Sequence, residues 1–390
     1  MRLLVLLSRF PYPLDKGDKL RAFHQLRHLS RQHEVCLFAL TDEDVSAGAY
    51  AAVQPLCRGG LHVHRLRRPA IARNMVRALA TGLPLQVGYF HDAAAQRRFD
   101  TVCQEFQPEH IYCQLIRMAE YLRAVKQPAM TLDYMDVFSK GMARRAGNAP
   151  GWQRPVLSLE ARRLRAYEAG VFGWFRAHTI ISDQDRQLID HPRRDEIQVV
   201  LNGIDTDYFR PLNQAKEYEV LFCGNMSYHP NVDAAVFLAE EIMPLVRQQH
   251  PRARLLIAGT TPAPRVQQLA SESVVVSGWL DDIRTAYASA RVFVAPMRLG
   301  TGLQNKLLEA MAMRLPSVTT SLANNALRGR PDTDLLVAET AAALAGQISH
   351  LLAETDFAAA LAARGQEFVR HNFDWEASTH RLEGLFGDPA

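Results

Sequence analysis

The sequence predicts an α/β protein with two doubly wound domains. The chain has 390 residues, which is enough for two domains of ordinary size. Short runs rich in β-branched and aliphatic residues alternate with longer amphipathic stretches. Most of these runs are continuously apolar rather than alternating, which is typical of parallel strands covered on both faces by helices. Together these observations favour two parallel sheets, each with helices on both sides.

The strands follow one another in two groups. The first half holds seven predicted strands, at 2–8, 34–40, 61–66, 110–115, 130–136, 178–183 and 197–203. The second half holds six, at 219–225, 253–259, 273–278, 291–296, 316–320 and 334–338. A polar, proline-containing stretch at about 207–217 separates the groups and predicts a linker. The predicted organisation is a first domain over 1–210, a second over 211–372 and a separate terminal helix over 373–390.

Composition excludes several classes of protein. No run approaches the roughly 18 apolar residues of a membrane span. The apolar run at Leu3–Leu7 is too short for a secretory signal, so we expect a cytoplasmic protein. The cysteines form no CxxC pair, which argues against structural zinc and a disulfide framework. They are Cys36, Cys57, Cys103, Cys113 and Cys223.

Charge is distributed unequally between the halves. Residues 1–200 hold 29 basic and 20 acidic residues, whereas residues 201–390 hold 16 and 21. The basic residues cluster, at Arg65, Arg67, Arg68, Arg73, Arg77, Arg97, Arg98, Arg144, Arg145, Arg162, Arg163 and Arg165. Such a face attracts phosphates or anionic lipid head groups, although solvated helix surfaces have the same composition. Nucleic acid is disfavoured, since no helix-turn-helix, zinc finger or stacking-aromatic motif is present.

The clearest chemical signal is the glycine-rich loop that follows the predicted strand 291–296. Gly300, Thr301 and Gly302 precede a helix predicted from Leu303. Free amides and the dipole at a helix N-terminus bind anions, and glycines admit a phosphate close to the backbone. An ordinary turn is the alternative, and the P-loop and GxGxxG patterns are both absent.

Charged residues flank this loop. Arg298 and Lys306 could neutralise a diphosphate. Glu309 lies three residues after Lys306 on the same helix face and could hold ribose hydroxyls. The alternative is a surface Lys–Glu pair.

Two further loops follow strands and are expected at the same edges of the sheets. In the first domain, Gly17 would let a substrate approach the backbone, and Lys16, Asp18 and Lys19 offer polar contacts at a helix start. Asp18 could instead cap that helix. In the second domain, Gly224 and Asn225 end the first strand, and His229 and Asn231 follow at the next helix.

These segments together resemble a known family. NGIDTDYF (202–209), GNM (224–226), SGWLDDIRTAYASARVFVAP (277–296) and GTGLQNKLLEAMA (300–312) resemble family 4 nucleotide-sugar glycosyltransferases of the GT-B fold. RFPYPLDKGDKLRAF with QLIRMAEYL resembles the sugar transferases of bacterial exosortase/PEP-CTERM exopolysaccharide clusters. The resemblance implies two Rossmann-like domains facing a central cleft, with the donor bound by the second domain and the acceptor by the first. It also implies that the terminal helix crosses back to the first domain.

The chain departs from the family pattern at several positions. Glu309 matches the second acid of the family's E-x7-E motif, whereas Thr301 stands at the first. The Arg and Lys that clamp the diphosphate in many relatives are missing from GNMSYHPN, so we expect Arg298 and Lys306 to replace them. Donor contacts are therefore expected from Gly17, Gly224, Asn225, Arg298, Gly300, Thr301, Gly302, Leu303, Lys306 and Glu309.

The first domain lacks the catalytic-region histidine common in the family. Gln114, Asp133 and Asp136 are the catalytic candidates in its place, and Arg117, Lys16 and Asp18 are the acceptor-side candidates. Asp281–Asp282 is interpreted as helix capping, so neither a metal nor another cofactor is expected.

The expected function is transfer of a hexosyl group from a UDP- or GDP-type sugar to a glycan or lipid-linked acceptor. The reaction would contribute to the synthesis of bacterial exopolysaccharide or cell-surface polysaccharide. The protein would act at the cytoplasmic side of the membrane, with its basic first domain against anionic lipid. Retention of configuration is implied by the resemblance. A sugar-nucleotide 2-epimerase and a non-catalytic nucleotide-sugar-binding partner are the alternatives.

Overall fold

The computed structural model describes residues 1–300 and 303–387. The chain forms two compact units. The first unit comprises Met1–Gly203 and the stretch from Trp375 on, and the second unit is Ile204–Asp374. The predicted boundaries, at 210/211 and 372/373, lie a few residues from these positions.

The first unit is built on a seven-stranded parallel sheet in the order β3-β2-β1-β4-β5-β6-β7. Its strands are β1 (Arg2–Leu7), β2 (Glu34–Thr41), β3 (Gly60–Arg65), β4 (His110–Gln114), β5 (Ala129–Asp133), β6 (Ala177–Ile180) and β7 (Gln198–Val199). Its helices are α1 (Gly17–Gln32), α2 (Ala47–Val53), α3 (Arg68–Thr81), α4 (Leu85–Phe90), α5 (Ala93–Phe106), α6 (Phe138–Asn148), α7 (Arg154–Gly170) and α8 (Asp183–Leu188).

The second unit has a six-stranded parallel sheet in the order β10-β9-β8-β11-β12-β13. Its strands are β8 (Tyr218–Cys223), β9 (Leu255–Ala258), β10 (Val274–Gly278), β11 (Ala290–Ala295), β12 (Ser317–Thr319) and β13 (Leu336–Val337). Its helices are α9 (His229–Phe237), α10 (Met243–Gln249), α11 (Pro264–Gln267), α12 (Ile283–Ser289), α13 (Asn305–Ala312), α14 (Ser321–Leu327), α15 (Ala341–Ala353) and α16 (Thr355–Asn372).

The apolar runs form strands because both faces of each sheet are covered. In β1, Leu4 and Leu6 enter one core cluster, and Leu3, Val5 and Leu7 enter the cluster on the opposite face. Alternate side chains of a strand point to opposite faces, so an unbroken apolar run supplies two cores at once. The two Rossmann-like units confirm the predicted α/β class.

Each predicted strand is present, although most are shorter than predicted. The largest difference is at 197–203, where β7 keeps only Gln198–Val199. The chain leaves the sheet there and packs against Trp375, whose backbone nitrogen lies 2.6 Å from where a Cβ on Gly203 would stand. Only glycine fits this approach.

The terminal helix α17 (Trp375–Glu383) belongs to the first unit and packs on α1. The Trp375 ring stacks on His24 with centroids 4.9 Å apart, and the Ser378 hydroxyl donates to the Leu201 carbonyl. Leu382 and Phe386 enter the core cluster that contains Leu3 and Val5. The terminal helix therefore packs on the first unit, as predicted.

Candidate functional site

The carboxyl end of the second unit's sheet brings several predicted donor residues together. Gly224 follows β8 with φ +156°. A Cβ at this position would lie 2.8 Å from Asn231 Nδ2 and 3.4 Å from Lys306 Cε. Glycine therefore lets the backbone after β8 approach the first turns of both α9 and α13.

Lys306 lies at the centre of this cluster. Its Nζ donates to Asn231 Oδ1 at 2.7 Å and to Gln304 Oε1 at 3.0 Å. Asn231 is held in turn, because its Nδ2 donates to the Asn225 carbonyl at 2.9 Å. Burial lowers the pKa of Lys306 to about 8. Within the described ranges its hydrogen-bond partners are uncharged, so this ammonium can still neutralise a bound anion.

Glu309 is positioned from the same helix. The Tyr287 hydroxyl donates to Glu309 Oε2 at 2.7 Å and lies 2.8 Å from Cys223 Sγ. Burial raises the pKa of Glu309, and this effect is opposed by the Tyr287 hydrogen bond and the Lys306 charge. Tyr287 was not identified from the sequence, because on α12 it has the pattern of an ordinary core residue.

The helix after the glycine loop begins later than predicted. α13 starts at Asn305 rather than Leu303, and Gln304 takes the N-cap position without a side-chain capping bond. The Gln304 side chain instead accepts from Lys306. Leu303 therefore precedes the helix, and the amides at its start lack a side-chain cap among the described residues.

Arg298, the second member of the predicted clamp, is paired with acidic side chains. Its guanidinium donates to Asp233 Oδ1 at 2.9 Å and Oδ2 at 3.1 Å, and Nη1 lies 3.7 Å from Glu241 Oε1. The same group lies 4.1 Å from the ring centroid of Phe237. Two carboxylates thus already offset the charge that was assigned to the donor.

The remaining loop residues have mixed outcomes. Gly300 has φ +92°, a conformation that favours glycine. Thr301 and Gly302 lie outside the described residues. The Asn225 side chain accepts from the Ser227 amide at 3.0 Å and its hydroxyl at 2.8 Å. It therefore stabilises the turn after β8, and the Asn225 carbonyl accepts from Asn231.

The predicted acceptor residues gather at the carboxyl end of the first unit's sheet. Gln114 Nε2 donates to the Asp18 carbonyl at 3.2 Å, and Arg9 Nη1 donates to Asp18 Oδ2 at 2.6 Å. Asp18 lies in the first turn of α1, while exposed Lys16 takes the N-cap position, so the capping alternative for Asp18 is wrong. Gly17 begins α1, and the direction of its missing Cβ is open.

Arg117 is a partly buried cation of this group. Its guanidinium lies 4.4 Å from the Phe138 ring centroid and 5.3 Å from that of Phe90, and it donates to Gln86 Oε1 at 2.8 Å. Burial, with the charge of Arg9, lowers the pKa of Arg117 to about 10. The side chain is therefore held rigidly at the sheet edge.

Asp133 cannot serve as a catalytic group, which corrects the prediction from the sequence. It is fully buried, with Arg21 Nε donating to Oδ2 at 2.6 Å and the Tyr112 hydroxyl donating to the same atom at 2.9 Å. Arg21 Nη1 also donates to Asn202 Oδ1 at 2.8 Å. This network ties α1 to β4, β5 and the segment after β7.

Asp136 remains available near this edge. It is exposed, on the turn that follows β5, and its Oδ1 accepts from the Val137 amide at 2.7 Å. Asp136 is therefore the accessible acid among the three catalytic candidates.

Two observations bear on metals and membranes. Asp282 accepts from the Arg284 amide at 3.0 Å and is the N-cap of α12. Residues 1–300 and 303–387 contain no group of three His, Cys, Asp or Glu side chains that could hold a metal ion. Over the same residues, no helix combines the length and the apolar character needed to cross a bilayer.

Comparison with known proteins relates residues 217–354 to a described family. Residues 217–354 match the family described as glycosyl transferases group 1. Sucrose-phosphate synthase from Thermosynechococcus elongatus has a similar structure, with 17% identity, TM-score 0.68 and coverage of 99% of this chain and 98% of that one. Anabaena HepE in complex with UDP-glucose is similar at 10% identity, TM-score 0.65 and 98% coverage of both chains. A Klebsiella pneumoniae protein described as an uncharacterized 44.6 kDa protein in the cps region is 21% identical over 96% of each chain.

The fold is therefore that of the GT-B glycosyltransferases, with two Rossmann-like parallel-sheet units. Residues 217–354 form a glycosyl transferases group 1 domain, which contains Lys306 and Glu309. The chain is a glycosyltransferase.

Proposed function

We propose that the chain transfers a sugar from a UDP- or GDP-type nucleotide-diphosphate sugar to a glycan or lipid-linked acceptor. The observation that carries this proposal is the partly buried Lys306, whose hydrogen-bond partners Asn231 and Gln304 are neutral, one turn before Glu309. The second unit would bind the donor and the first the acceptor. UDP-glucose in the HepE complex supports the UDP choice, and the cps-region relative supports a role in cell-surface polysaccharide synthesis.

The proposed chemistry is charge stabilisation at the leaving group. The bond from the sugar's anomeric carbon to the diphosphate oxygen breaks, and a bond to the acceptor hydroxyl oxygen forms through an oxocarbenium-like transition state. Negative charge grows on the diphosphate, where Lys306 and the uncapped amides of α13 would stabilise it. Glu309, held by Tyr287, would accept hydrogen bonds from the ribose hydroxyls.

The acceptor hydroxyl must lose its proton. Asp136 is our candidate to receive it, since Asp133 is committed to Arg21. Gln114 and Arg117 would position the acceptor beside it. We further propose that configuration is retained, that no metal is required and that the reaction takes place in the cytoplasm. The similarity of the Arg9–Phe23 region to exosortase-associated transferases leads us to propose an exopolysaccharide pathway.

The test is a thermal-shift screen of UDP-, GDP-, ADP- and dTDP-sugars, followed by donor kinetics. A donor at about 100 times its Kd stabilises the folded chain by about 2.7 kcal/mol. Glu309→Gln and Lys306→Met should abolish the shift, whereas Glu240→Gln, at an exposed position of the second unit, should retain it. Unchanged donor kinetics in both site variants would refute the assignment.

Two alternatives give different products. A sugar-nucleotide 2-epimerase would release epimerised sugar nucleotide in the absence of acceptor. A non-catalytic partner would bind the donor without any release of nucleoside diphosphate. Slow donor hydrolysis by the wild type that is lost in Glu309→Gln favours the transferase over both.

A further inference from the structure

The first unit carries a cluster of exposed apolar side chains that its own fold does not cover. Among the described residues, eleven large apolar residues are exposed, and five of them fall on α3, on α7 and in the turn before α7. These five are Val76, Leu79, Trp152, Val156 and Leu159, with exposed fractions between 37% and 79%. Isolated exposed apolar residues are ordinary, but a concentration on adjoining helices indicates an interaction surface.

The helices that carry these residues are in contact. Arg163, on α7, donates to the carbonyls of Leu79 and Leu83 at 3.4 Å each. Glu160, also on α7, accepts from the amides of Leu85 and Gln86 at 2.9 and 3.0 Å. The end of α3 therefore lies against α7, and α7 packs along α6 as a helical hairpin with Trp152 at its turn.

The charge around this cluster has one sign. α3 contains three arginines and no acidic residue, and residues 138–170 contain seven basic residues. Both acids in 138–170, Glu160 and Glu168, are buried and bonded to protein groups. We name the exposed apolar five, together with Arg77, Arg144, Arg145 and Arg162, the hairpin surface.

We propose that the hairpin surface docks the protein on an anionic lipid bilayer. Arginines at head-group level attract anionic lipids, while Trp and aliphatic side chains gain by entering the interface between head groups and acyl chains. A nucleic acid would use the arginines but would leave Val76, Val156 and Leu159 in water. The proposal extends the proposed function, because a lipid-linked acceptor resides in a bilayer, but its test does not depend on activity.

The first experiment measures flotation of the full chain with phosphatidylcholine vesicles, with and without about one-third phosphatidylglycerol. We expect binding only to the anionic vesicles and its loss in about 1 M salt. Arg77→Glu/Arg162→Glu should weaken partitioning by more than about tenfold. The control Arg252→Glu/Arg370→Glu makes the same charge change at exposed positions of the second unit and should bind like wild type.

The second experiment tests insertion of the tip. Brominated lipid should quench tryptophan fluorescence of wild type and of Trp279→Phe, and this quenching should be lost in Trp152→Phe. Trp279 is the matched control, because it is 66% exposed in the second unit. Equal binding to neutral vesicles, equal loss in both charge variants, or quenching that survives Trp152→Phe would each overturn the proposal.

Activity is measured separately. Donor hydrolysis in solution without vesicles should be the same in Arg77→Glu/Arg162→Glu as in wild type. If hydrolysis is absent from all proteins while vesicle binding follows the expected pattern, the proposed function fails and the docking surface stands. If hydrolysis is present while vesicle binding does not follow the expected pattern, the docking surface fails and the proposed function stands.

Discussion

Two cations near the glycine loop differ in what surrounds them. Arg298 is bonded to Asp233 and close to Glu241, so its charge is offset within the protein. Lys306 is bonded to amide oxygens, and its desolvation is compensated only in part. A partly buried ammonium whose hydrogen-bond partners are neutral is stabilised when an anion arrives, which makes Lys306 the stronger candidate for a phosphate contact.

The first prediction concerns the pH dependence of donor use. Lys306 has a pKa lowered to about 8, so it is charged below that pH and loses its proton above it. The donor KM should be flat just below pH 8, above the acid limb set by Glu309, and should rise by up to about tenfold per pH unit above pH 8. Steady-state kinetics across pH 8 measure this.

Two variants make this prediction specific to Lys306. Lys306→Arg keeps its charge to higher pH and should remove the rise, although its geometry raises KM throughout. Lys306→Met should give a high KM at every pH. A wild-type profile that stays flat above pH 8 would contradict the assignment.

Tyr287 is predicted to position Glu309. Tyr287→Phe removes the hydroxyl that donates to Glu309 Oε2. Loss of this hydrogen bond should weaken donor binding by about 1–2 kcal/mol. We expect the donor KM to rise about tenfold with little change in kcat. Since the same hydrogen bond lowers the pKa of Glu309, the acid limb of the KM profile should move to higher pH. Tyr89→Phe removes a similar bond, to Asp42 in the first unit, and should leave both unchanged.

At the scale of elements, local sequence patterns predicted the strands and failed at contacts between distant segments. β1 could be identified because an unbroken apolar run from Leu3 to Leu7 is a local property. Lys306 and Glu309 were found because their spacing places them on one helix face. Asp133 was misassigned because its partner, Arg21, is 112 residues earlier in the chain.

The same reason explains what was missed in the site. Tyr287 meets Glu309, and Arg298 meets Asp233, only when separate segments of the chain pack together. The start of α13 was predicted two residues early because neither Leu303 nor Gln304 carries a strong capping side chain. Such pairings depend on tertiary structure, which spacing alone does not encode.

The Arg21–Asp133 pair is predicted to be essential for stability. Asp133→Asn leaves a fully buried guanidinium with reduced compensation and should lower the free energy of unfolding by about 3–5 kcal/mol. Asp190→Asn is the matched control, because its ion pair with Arg165 has the same 2.6 Å distance but is exposed. It should leave the free energy of unfolding nearly unchanged, because an exposed ion pair is screened by solvent. Urea denaturation of both variants measures the difference, and equal costs would contradict the prediction.

Glu168 gives the helical hairpin a pH dependence. Burial raises the pKa of Glu168 to about 7, although the Ser139 amide and hydroxyl donate to it. Because its pKa is higher in the folded state, the associated stabilisation is fully present below about pH 4.5 and is lost as pH rises through 7. Glu168→Gln stays neutral. Its free energy of unfolding should therefore increase relative to that of wild type as pH rises from about 4.5 to 7. Thermal unfolding at several pH values measures this; a constant difference in Tm would contradict it.

At the scale of the whole molecule, each unit has its own sheet and core, but the first unit is assembled from both ends of the described chain. The chain enters the second unit at Ile204 and leaves it after Asp374, and these two residues pair with each other. Next to them, Gly203 packs on Trp375. The first unit thus depends on residues that follow the entire second unit in sequence.

Trp375→Ala is predicted to destabilise the first unit selectively. Loss of the ring that stacks on His24 should cost about 3–5 kcal/mol. Hydrogen exchange should speed up in peptides of α1 and β1, while peptides of β8 and β11 keep their protection. Trp279→Ala, at a 66% exposed position, should change neither set. Faster exchange confined to the second unit would contradict the prediction.

This arrangement has a consequence for synthesis on the ribosome. The second unit is complete once Asp374 has been translated, whereas the first still lacks Leu382 and Phe386. Until these two residues are made, the core cluster that contains Leu3 and Val5 is incomplete, whereas all residues of the second unit are present. A premature stop codon before α17 would therefore leave the second unit's residues complete and would remove α17 from the first unit, which is made earlier.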